Sequence, residues 1–484
     1  MSKSYLIYKD VAPGAEADAA VTTNGAQPFA DPSKLPAGGD ELPIISGELG
    51  AWGLNGTFVA RDGKALAFWS TAMSGVSGVF SAPPTITVLF DKQYSSPGIT
   101  LAFDTATGDH CTSVNIKWYQ QATLKADADF APNAGTYFCQ QRVLSYDKVV
   151  ITLKATNLPY RYAKLNQIRF GVYRLFGMTD LRRVSIINEM DLIASKLPVS
   201  TMRWTLDSQN DVEYLFQLQQ PVEAYNDDRL IGVYYIESSS RVSERLYEIS
   251  CHDAFGILNE STFAGGVYSN KSAAALLGEI VGSDFELEVL AADVKLNGAI
   301  QPCTRREAAQ QVLFAWGTCA ATDGTAGIRV FFAPSVPAEI GTDRTFLGVA
   351  VDTAAITTEV RVTAHTYTES ATGAVEIGGV KYTDTTTVYT VTNPDVTATD
   401  KQNVVEVTEA TLVSPAIAQA VAQRVYNYHV RRHTNKSRFV WKGERLGDCV
   451  TQPNSWGGTN TGNLVKMEIL LSNTVVAGSE ARGV

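Results

Sequence analysis

Two carboxylates, Glu189 and Asp191, are the first residues of this sequence whose types and spacing could support chemistry. They lie two apart at the start of EMDLIASKLPVSTMRWTLDS (189–208), ahead of a Lys-Leu-Pro break. Two acids in contrasting environments can act as general acid and general base. The string is also typical of a surface turn before a half-buried strand, because apolar and polar residues alternate over 202–207. No acid-rich or aromatic segment nearby supplies a cleft, so the structural interpretation is favoured.

The histidines offer one further candidate. His429 and His433 stand four apart in HVRRH, a spacing that on a helix puts both rings on one face, as a zinc pair requires. The glutamate of H-E-x-x-H is missing and arginines fill the middle, so a solvated basic face near a helix end is expected instead. His252, within ISCHDAFGIL, is expected to be a packed or hydrogen-bonding residue rather than a catalyst.

Other chemical motifs are incomplete. GVSG (75–78) lacks the spacing of a G-x-S-x-G elbow, and GLNGTF and GGVYSN have neither P-loop nor dinucleotide spacing. The six cysteines are too scattered for a C-x-x-C motif and are expected to be reduced and mostly buried. The sequence therefore predicts no catalytic residue, no metal site and no cofactor.

Length and charge set the broad class. A chain of 484 residues, with 45% hydrophobic and 19% charged residues, is expected to fold into several globular domains. Its net charge of −10 argues against sequence-independent nucleic-acid binding, which needs a cationic face. No apolar run approaches the roughly 20 residues of a membrane span, and the amino end lacks a secretory h-region. We expect no membrane segment and synthesis in the cytosol.

The elements that position these residues are predicted to be mainly β with a few short helices. Residues 1–48 are rich in Ala, Gly, Pro and Asp and predict an extended N-terminal arm. Over 49–177, short apolar runs at about ten-residue spacing predict a β-sandwich or jelly roll. The rest of the chain divides into β-rich segments at 178–300, 301–410 and 411–484. The second and the third of these segments each begin with a helix.

Three helices can be placed from their caps. In SNKSAAALLGEIVG the serines and Asn270 can cap an apolar stripe that includes Leu276. Thr304 and Glu307 form an S/T-x-x-E capping box in TRREAAQQVLFAWG. Ser414 is the expected cap of SPAIAQAVAQRVYNYHVRRH, with a proline in its first turn.

Adjacent aromatics in the sandwich leave a binding role open. Trp118 and Tyr119 must point to opposite faces of a strand, so one ring could be exposed and stack on a sugar. A core tryptophan beside a rim tyrosine is the favoured arrangement.

The order of the segments resembles the hub proteins of phage tail baseplates, especially those of Gram-positive phages and phage-like contractile bacteriocins. The similar strings are RRVSIINEMDLIASKLPVSTMRWTLDS, RLIGVYYIESSSRVSERLYEISCHDAFGILNESTFAGGVYS, TRREAAQQVLFAWG, and the end from SPAIAQAVAQRVYNYHVRR through GERLGDCV. The resemblance spans about 178–484 and is loose residue by residue. The region 50–175 resembles the carbohydrate-binding-module-like sandwich that some of these proteins carry.

This resemblance implies two hub β-barrel units and a structural, non-enzymatic role. The chain would be a homotrimeric hub that joins a hexameric tail tube to a trimeric central spike by symmetry matching. Its implied partners are the tube protein, the spike protein, baseplate wedge proteins and a tape-measure protein in the channel. Glu189 and Asp191 would have no catalytic role, and Met202, Trp204 and Leu206 would face a barrel core. The implied location is the tail of a virion or phage-like particle assembled in the bacterial cytoplasm.

Two alternatives stay open. One is a tail-tip protein of a noncontractile phage tail whose sandwich binds a host cell-surface glycan, and the other is a secreted polysaccharide hydrolase with a binding module. For the hub, the acidic net charge predicts a channel lined by acidic and small polar side chains, with Arg431 and Arg432 turned toward neighbouring subunits or outward.

Overall fold

A computed structural model describes residues 4–12, 14–28, 43–53, 55–62, 67–208, 216–346, 348–397, 399–472 and 474–483. These residues form strands and five helices, which confirms the predicted class, mainly β with short helices. They fall into two compact units: unit 1 comprises Met1–Ile7 and Leu175–Val484, and unit 2 is the single stretch Tyr8–Arg174 that interrupts it.

The first eleven strands are β1 (Ser4–Val11), β2 (Ala20–Asn24), β3 (Pro43–Ile45), β4 (Ala60–Asp62), β5 (Phe68–Met73), β6 (Thr85–Phe103), β7 (Cys111–Gln120), β8 (Thr123–Phe130), β9 (Thr136–Thr156), β10 (Tyr162–Arg169) and β11 (Gly171–Gly177). The next eleven are β12 (Leu181–Glu189), β13 (Thr201–Asp207), β14 (Pro221–Asn226), β15 (Arg229–Arg241), β16 (Leu246–His252), β17 (Thr262–Phe263), β18 (Gly266–Ser272), β19 (Leu287–Val289), β20 (Lys295–Ile300), β21 (Cys303–Thr304) and β22 (Cys319–Ala321). The last eleven are β23 (Ile328–Phe331), β24 (Ala338–Glu339), β25 (Ala350–Thr353), β26 (Glu359–Glu369), β27 (Val375–Ile377), β28 (Val380–Thr392), β29 (Val404–Val407), β30 (His433–Val440), β31 (Cys449–Pro453), β32 (Thr459–Leu470) and β33 (Val476–Gly483). The helices are α1 (Ala15–Asp18), α2 (Ala254–Asn259), α3 (Ala273–Val281), α4 (Arg305–Trp316) and α5 (Pro415–Val430).

Unit 2 is built on an antiparallel sheet in the order β5-β10-β6-β9-β7-β8, with β2 also paired to β6. Ile86, Val88 and Phe90 occupy alternate positions of β6, and all three are buried in the core of unit 2. Trp118 is fully buried and Tyr119 is half-buried, which is the favoured core-and-rim arrangement.

Two strands of unit 2 are longer than their turn signals suggest. The apolar runs PTITVLFD and GITLAFDTATGD both contribute to the 19-residue β6, and GTYFCQQ and KVVITLKA likewise share the 21-residue β9. The Ser-Ser-Pro-Gly between the first two runs lies inside the strand. Register shifts between Leu89 and Gly98 absorb it, because a bulge takes up extra residues without ending a ladder.

The prediction of an extended arm over 1–48 is wrong for most of its described part. Ser4–Val11 and Ala20–Asn24 are strands, and the second pairs with β6 from Ala20 opposite Leu89 to Asn24 opposite Thr85. The strand forms because AVTTN alternates on a pleated surface, a signal hidden among the surrounding Gly and Pro residues. Residues 29–42 of the predicted arm lie outside the described residues.

Unit 1 contains a large antiparallel sheet in the order β14-β15-β16-β13-β12-β32-β33-β30-β25. Strands from 181–252 therefore pair directly with strands from the last fifty residues, through β12 and β32. The predicted boundaries at 300 and 410 divide this part of the chain into consecutive segments. The large sheet instead combines strands from the first segment (178–300) with strands from the last (411–484).

The helices of unit 1 share one core with the smaller sheet β27-β28-β26-β29. Leu276 of α3, Val312 of α4 and Val421 of α5 are all buried there. The capping box is present as predicted: Thr304 accepts from the Glu307 N–H, and the Glu307 carboxylate accepts from the Thr304 N–H. For α3 the cap is Ser272, whose hydroxyl oxygen accepts from the Ala275 N–H.

Candidate functional site

Glu189 is the last residue of β12, where it forms an ion pair with the neighbouring strand. Its side chain lies opposite Lys466 of β32, and the Oε1 and Nζ atoms are 2.8 Å apart. The carboxylate raises the pKa of Lys466, with a smaller contribution in the same direction from Glu468. Glu189 is thus a cross-strand partner on the outer face of the sheet.

Asp191 does not share that environment. It is buried, and its carboxylate accepts hydrogen bonds from the Ile193 N–H, the Lys196 N–H and the Ser195 hydroxyl. These bonds hold the turn between β12 and β13, as Asp side chains commonly do. The two acids therefore serve different structural tasks, and the turn is internal rather than solvated at Asp191.

Strand β13 presents the face that the alternation predicts. Met202, Trp204 and Leu206 are buried, and the Trp204 ring lies 5.4 Å from the rings of both Phe176 and Phe216. The register pairs Trp204 with Ile249 of β16. This aromatic cluster anchors the strand that follows the turn.

The histidine pair is divided between two elements. His429 is half-buried on α5, and burial lowers the pKa of its ring, whereas His433 begins β30 and contacts the Thr353 hydroxyl. Helix α5 ends at Val430, so the two rings do not share a helix face. Beyond it, Arg432 donates to the Ala354 carbonyl at 2.8 Å.

Two buried aspartates that sequence reasoning missed lie where the sheet and helices of unit 1 meet. Asp253 caps α2 by accepting from the Phe255 and Gly256 N–H groups, and it accepts from the Thr322 hydroxyl at 2.8 Å. Asp323 accepts from the Leu446 N–H at 2.6 Å. Burial raises the pKa of each aspartate to about 6. Only the helix cap leaves a sequence signal, since an Asp before an apolar run is typical of an N-cap.

His252, next to this cluster, is a packed residue. It is buried at the end of β16, and its Nε2 lies 3.5 Å from Glu260 Oε1. A Cβ added at Gly256 would meet the ring within 2.3 Å, so this glycine permits the close approach of α2.

The outer face of the large sheet carries a row of alternating charges, which we call the charged row. From β12 to β30 its members lie opposite one another in the order Glu189, Lys466, Glu480 and Lys436. Lys436 is also 2.8 Å from Asp352. Opposite charges on directly facing residues stabilise strand pairing, so the row favours this register.

Unit 2 contains a buried network of four charged side chains. The Lys164 Nζ lies 2.7 Å from Glu48 and 2.9 Å from Asp109, and the Arg161 Nε lies 3.1 Å from Asp109. All four side chains are at most 7% exposed. Two acids and two bases balance within the network, as buried charges require. No periodicity marks such a cluster, because its members come from three separate segments, near residues 48, 109 and 161–164.

This network lies beside a short aromatic hairpin whose described residues are 51–53 and 55–59. Glu48 also accepts from the Tyr162 N–H at 2.7 Å, which ties the segment before the hairpin to β10. Trp52 and Phe58 pair across the hairpin with ring centroids 5.7 Å apart, and they are 54% and 52% exposed. Exposed aromatics on an anchored hairpin form a candidate binding surface, which the sequence analysis missed when it considered Trp118 and Tyr119.

The described residues contain no group of three or more His, Cys, Asp or Glu side chains placed to hold a metal ion. None of the helices in this part of the chain combines the length and apolar character needed to cross a membrane. All six cysteines are free thiols, and five of them are buried.

No protein-family model matches the chain, and no curated protein matches it. Among solved structures, it is similar to a tail protein from Neisseria meningitidis (TM-score 0.47, 11% identity, 64% of this chain and 93% of the other). It is also similar to the 43 kDa tail protein of prophage MuSo2 from Shewanella oneidensis (TM-score 0.45, 9% identity, 64% and 95%). A third is an E. coli type VI secretion component described as structurally similar to T4 bacteriophage tail proteins gp27 and gp5 (TM-score 0.34, 9% identity, 63% and 74%).

The first two of these structures are described as tail proteins, and the third as a component of a type VI secretion system. At these identities and TM-scores, the likeness assigns no function to the chain.

Proposed function

We propose that this chain is the structural baseplate hub of a phage or phage-like contractile tail. As a homotrimer it would join the hexameric tail tube to the trimeric central spike, with baseplate wedge proteins around it and a tape-measure protein in its channel. Three chains that each present two similar units would offer six near-equivalent contacts to the tube and threefold symmetry to the spike. The role requires no reaction and no cofactor.

One observation carries the proposal. The strings that resemble hub proteins begin near residue 178 and end near 450, and all of them fall within unit 1. The first of these strings includes β12 and β13, and β12 pairs with β32, which follows the last string. Sequence segments almost three hundred residues apart thus contribute to a single sheet, as expected if they belong to one structural unit rather than to unrelated domains.

Copy number is the sharpest test. Particles that contain this chain should be purified and its abundance measured by quantitative mass spectrometry against the tube protein, followed by cryo-electron microscopy of the tail end. The expected result is three copies per particle around an open channel, between the tube and the spike. Six copies in one ring, many copies along the tail, or a solid centre would overturn the hub assignment.

The second candidate, a tail-tip protein whose sandwich binds a host glycan, is favoured by the aromatic hairpin of unit 2. Trp52 and Phe58 offer two exposed rings on a segment fixed by the buried charge network. Tyr160, 57% exposed, lies two residues before the strand residue that binds Glu48. Aromatic faces of this kind provide apolar contact area at low entropic cost.

Binding to isolated host cell-wall polysaccharide tests this candidate. The full-length chain should bind, and Trp52→Ala should abolish binding without changing the melting temperature. Trp456→Ala is the matched control, because Trp456 is 63% exposed but belongs to unit 1. A wild-type chain that fails to bind would exclude the glycan-binding role and leave the hub proposal untouched.

A further inference from the structure

A groove on the outer face of the large sheet lies beside the charged row. It has a volume of about 420 Å³ and crosses β12, β32, β33 and β30. Its floor is Gly478 of β33, which lies between Glu468 of β32 and Arg438 of β30 in register. The groove exists because the central position of this cross-strand row has no side chain.

Among the residues that the structure describes, no neighbour requires a glycine at this position. A Cβ added at Gly478 would meet only Glu468 atoms, at 3.8 Å, which is ordinary van der Waals contact. A glycine inside a strand weakens the strand, and it often marks a site where a ligand or another backbone approaches closely. The open space above Gly478 therefore fits an external group better than an internal packing need.

The charges around the groove are mainly basic. Lys436 and Lys466 already have carboxylate partners, at 2.8 Å from Asp352 and from Glu189 respectively. Arg183 and Arg438 are exposed, and neither belongs to an ion pair found among the described residues; the Arg438 guanidinium lies 5.7 Å from the centroid of the Phe346 ring. With Glu468 and Glu480, the lining contains four cations and two anions.

This basic groove lies in an acidic unit. Unit 1 contains 26 Lys and Arg residues against 36 Asp and Glu residues, so it carries the entire net charge of −10, while unit 2 is neutral with 14 of each. An acidic surface of another copy of unit 1 is thus a complementary partner for the two arginines, which have no carboxylate partner among the described residues. Nucleic acid is a poorer fit, because the Glu468 and Glu480 carboxylates would repel every successive phosphate of a strand that crosses the groove, whereas a protein segment can place only two carboxylates there, opposite Arg183 and Arg438.

We propose that the groove over Gly478 is a subunit interface that receives an acidic segment from a second copy of this chain. Arg183 and Arg438 would pair with its carboxylates, and its backbone would approach the sheet above the glycine. The two surfaces differ, so the contact is heterologous, and repeating it generates a closed ring when the rotation allows. A ring of three would agree with the proposed hub, and only that copy number rests on the proposed function.

Self-association of the purified full-length chain tests the interface. Sedimentation equilibrium at increasing concentration in low salt should show the average mass rising above that of a monomer, and high salt should reverse the rise because it screens the ion pairs. The Arg183→Glu/Arg438→Glu double variant should stay monomeric over the same range. Arg142→Glu, an exposed arginine in unit 2, makes the same charge change away from the groove and should associate like the wild type.

A steric pair of variants tests the groove without changing charge. Gly478→Trp should block association by filling the space, whereas Gly478→Ala should retain it. Both variants should keep the wild-type circular dichroism spectrum. If Gly478→Trp does not fold, the sedimentation result for the Arg183→Glu/Arg438→Glu variant tests the interface by itself.

A wild-type chain that remains monomeric at every concentration, or an arginine variant that associates normally, would overturn the proposal. Salt-sensitive DNA binding that is lost in the arginine variant would also overturn it, in favour of a nucleic-acid site. None of these results bears on the copy number in particles, which tests the hub assignment separately.

Discussion

Glu189 and Lys466 face each other on adjacent strands that are separated by 277 positions in the sequence, and their charged atoms are 2.8 Å apart. The contact joins the segment that follows unit 2 to the last strands of the chain. It also explains why an acid that could have been catalytic is instead part of a cross-strand charge row.

The two acids at this turn should respond differently to removal. Glu189→Ala should cost less than about 1 kcal/mol, because the pair is partly exposed. Asp191→Ala should cost about 1–3 kcal/mol, because it leaves buried N–H groups without an acceptor. Urea unfolding of both variants measures the difference.

Neither variant should change an enzymatic activity, because we propose that the chain has none. Hydrolysis of host wall polysaccharide by the pure wild type, abolished by either substitution, would contradict this. Equal destabilisation by the two substitutions would contradict the different environments described for the acids.

Trp204→Ala should destabilise unit 1 by about 3–5 kcal/mol, the usual effect of truncating a buried large aromatic side chain. Trp204 is only 2% exposed and packs against Phe176 and Phe216. Chemical denaturation followed by tryptophan-independent circular dichroism provides the measurement. An unchanged unfolding midpoint would mean that the side chain is not in a core and that the register of β13 is wrong.

Lys164→Met should destabilise unit 2 by about 3–5 kcal/mol, because it leaves Glu48 and Asp109 buried without their shared cation. Lys154→Met is the control: Lys154 pairs with the exposed Asp129, so its loss should change the unfolding midpoint little. If both lysine variants unfold at the same denaturant concentration, the network is not a significant source of stability.

Stability should fall as pH rises through about 6. Burial raises the pKa of Asp253 and Asp323 from 3.8 to about 6, so the folded state holds their protons more tightly than the unfolded state. The stabilisation from protonation is fully present below the unfolded pKa and is lost as pH rises through the folded pKa. A shift of about 2 units corresponds to about 3 kcal/mol for each group.

Asp323→Asn should therefore reduce the loss of unfolding free energy between about pH 5 and about pH 7.5. Glu468→Gln, which alters an exposed carboxylate, should retain the wild-type slope. Urea titrations at several pH values measure both slopes, and an Asp323→Asn slope equal to that of the wild type would show that Asp323 ionises normally.

Local patterns predicted much of the secondary structure. The alternation of Met202, Trp204 and Leu206 identified the buried face of β13, and Thr304 with Glu307 identified the start of α4. These predictions succeed because side-chain direction in a strand and backbone satisfaction at a helix start depend on residues only a few positions apart. Where local signals conflict, as in the Ser-Ser-Pro-Gly inside β6, tertiary pairing decided that the strand continues.

The candidate sites depended on tertiary structure. The sequence by itself determined that the chain is acidic, mainly β and without a recognised catalytic motif. Only the fold placed Lys466 beside Glu189, gathered Glu48, Asp109, Arg161 and Lys164 into one buried network, and left the groove over Gly478 open. The physical reason is that a charge partner or an empty space is defined by neighbours across a sheet, and strand register brings together residues whose separation along the chain carries no signal of their contact.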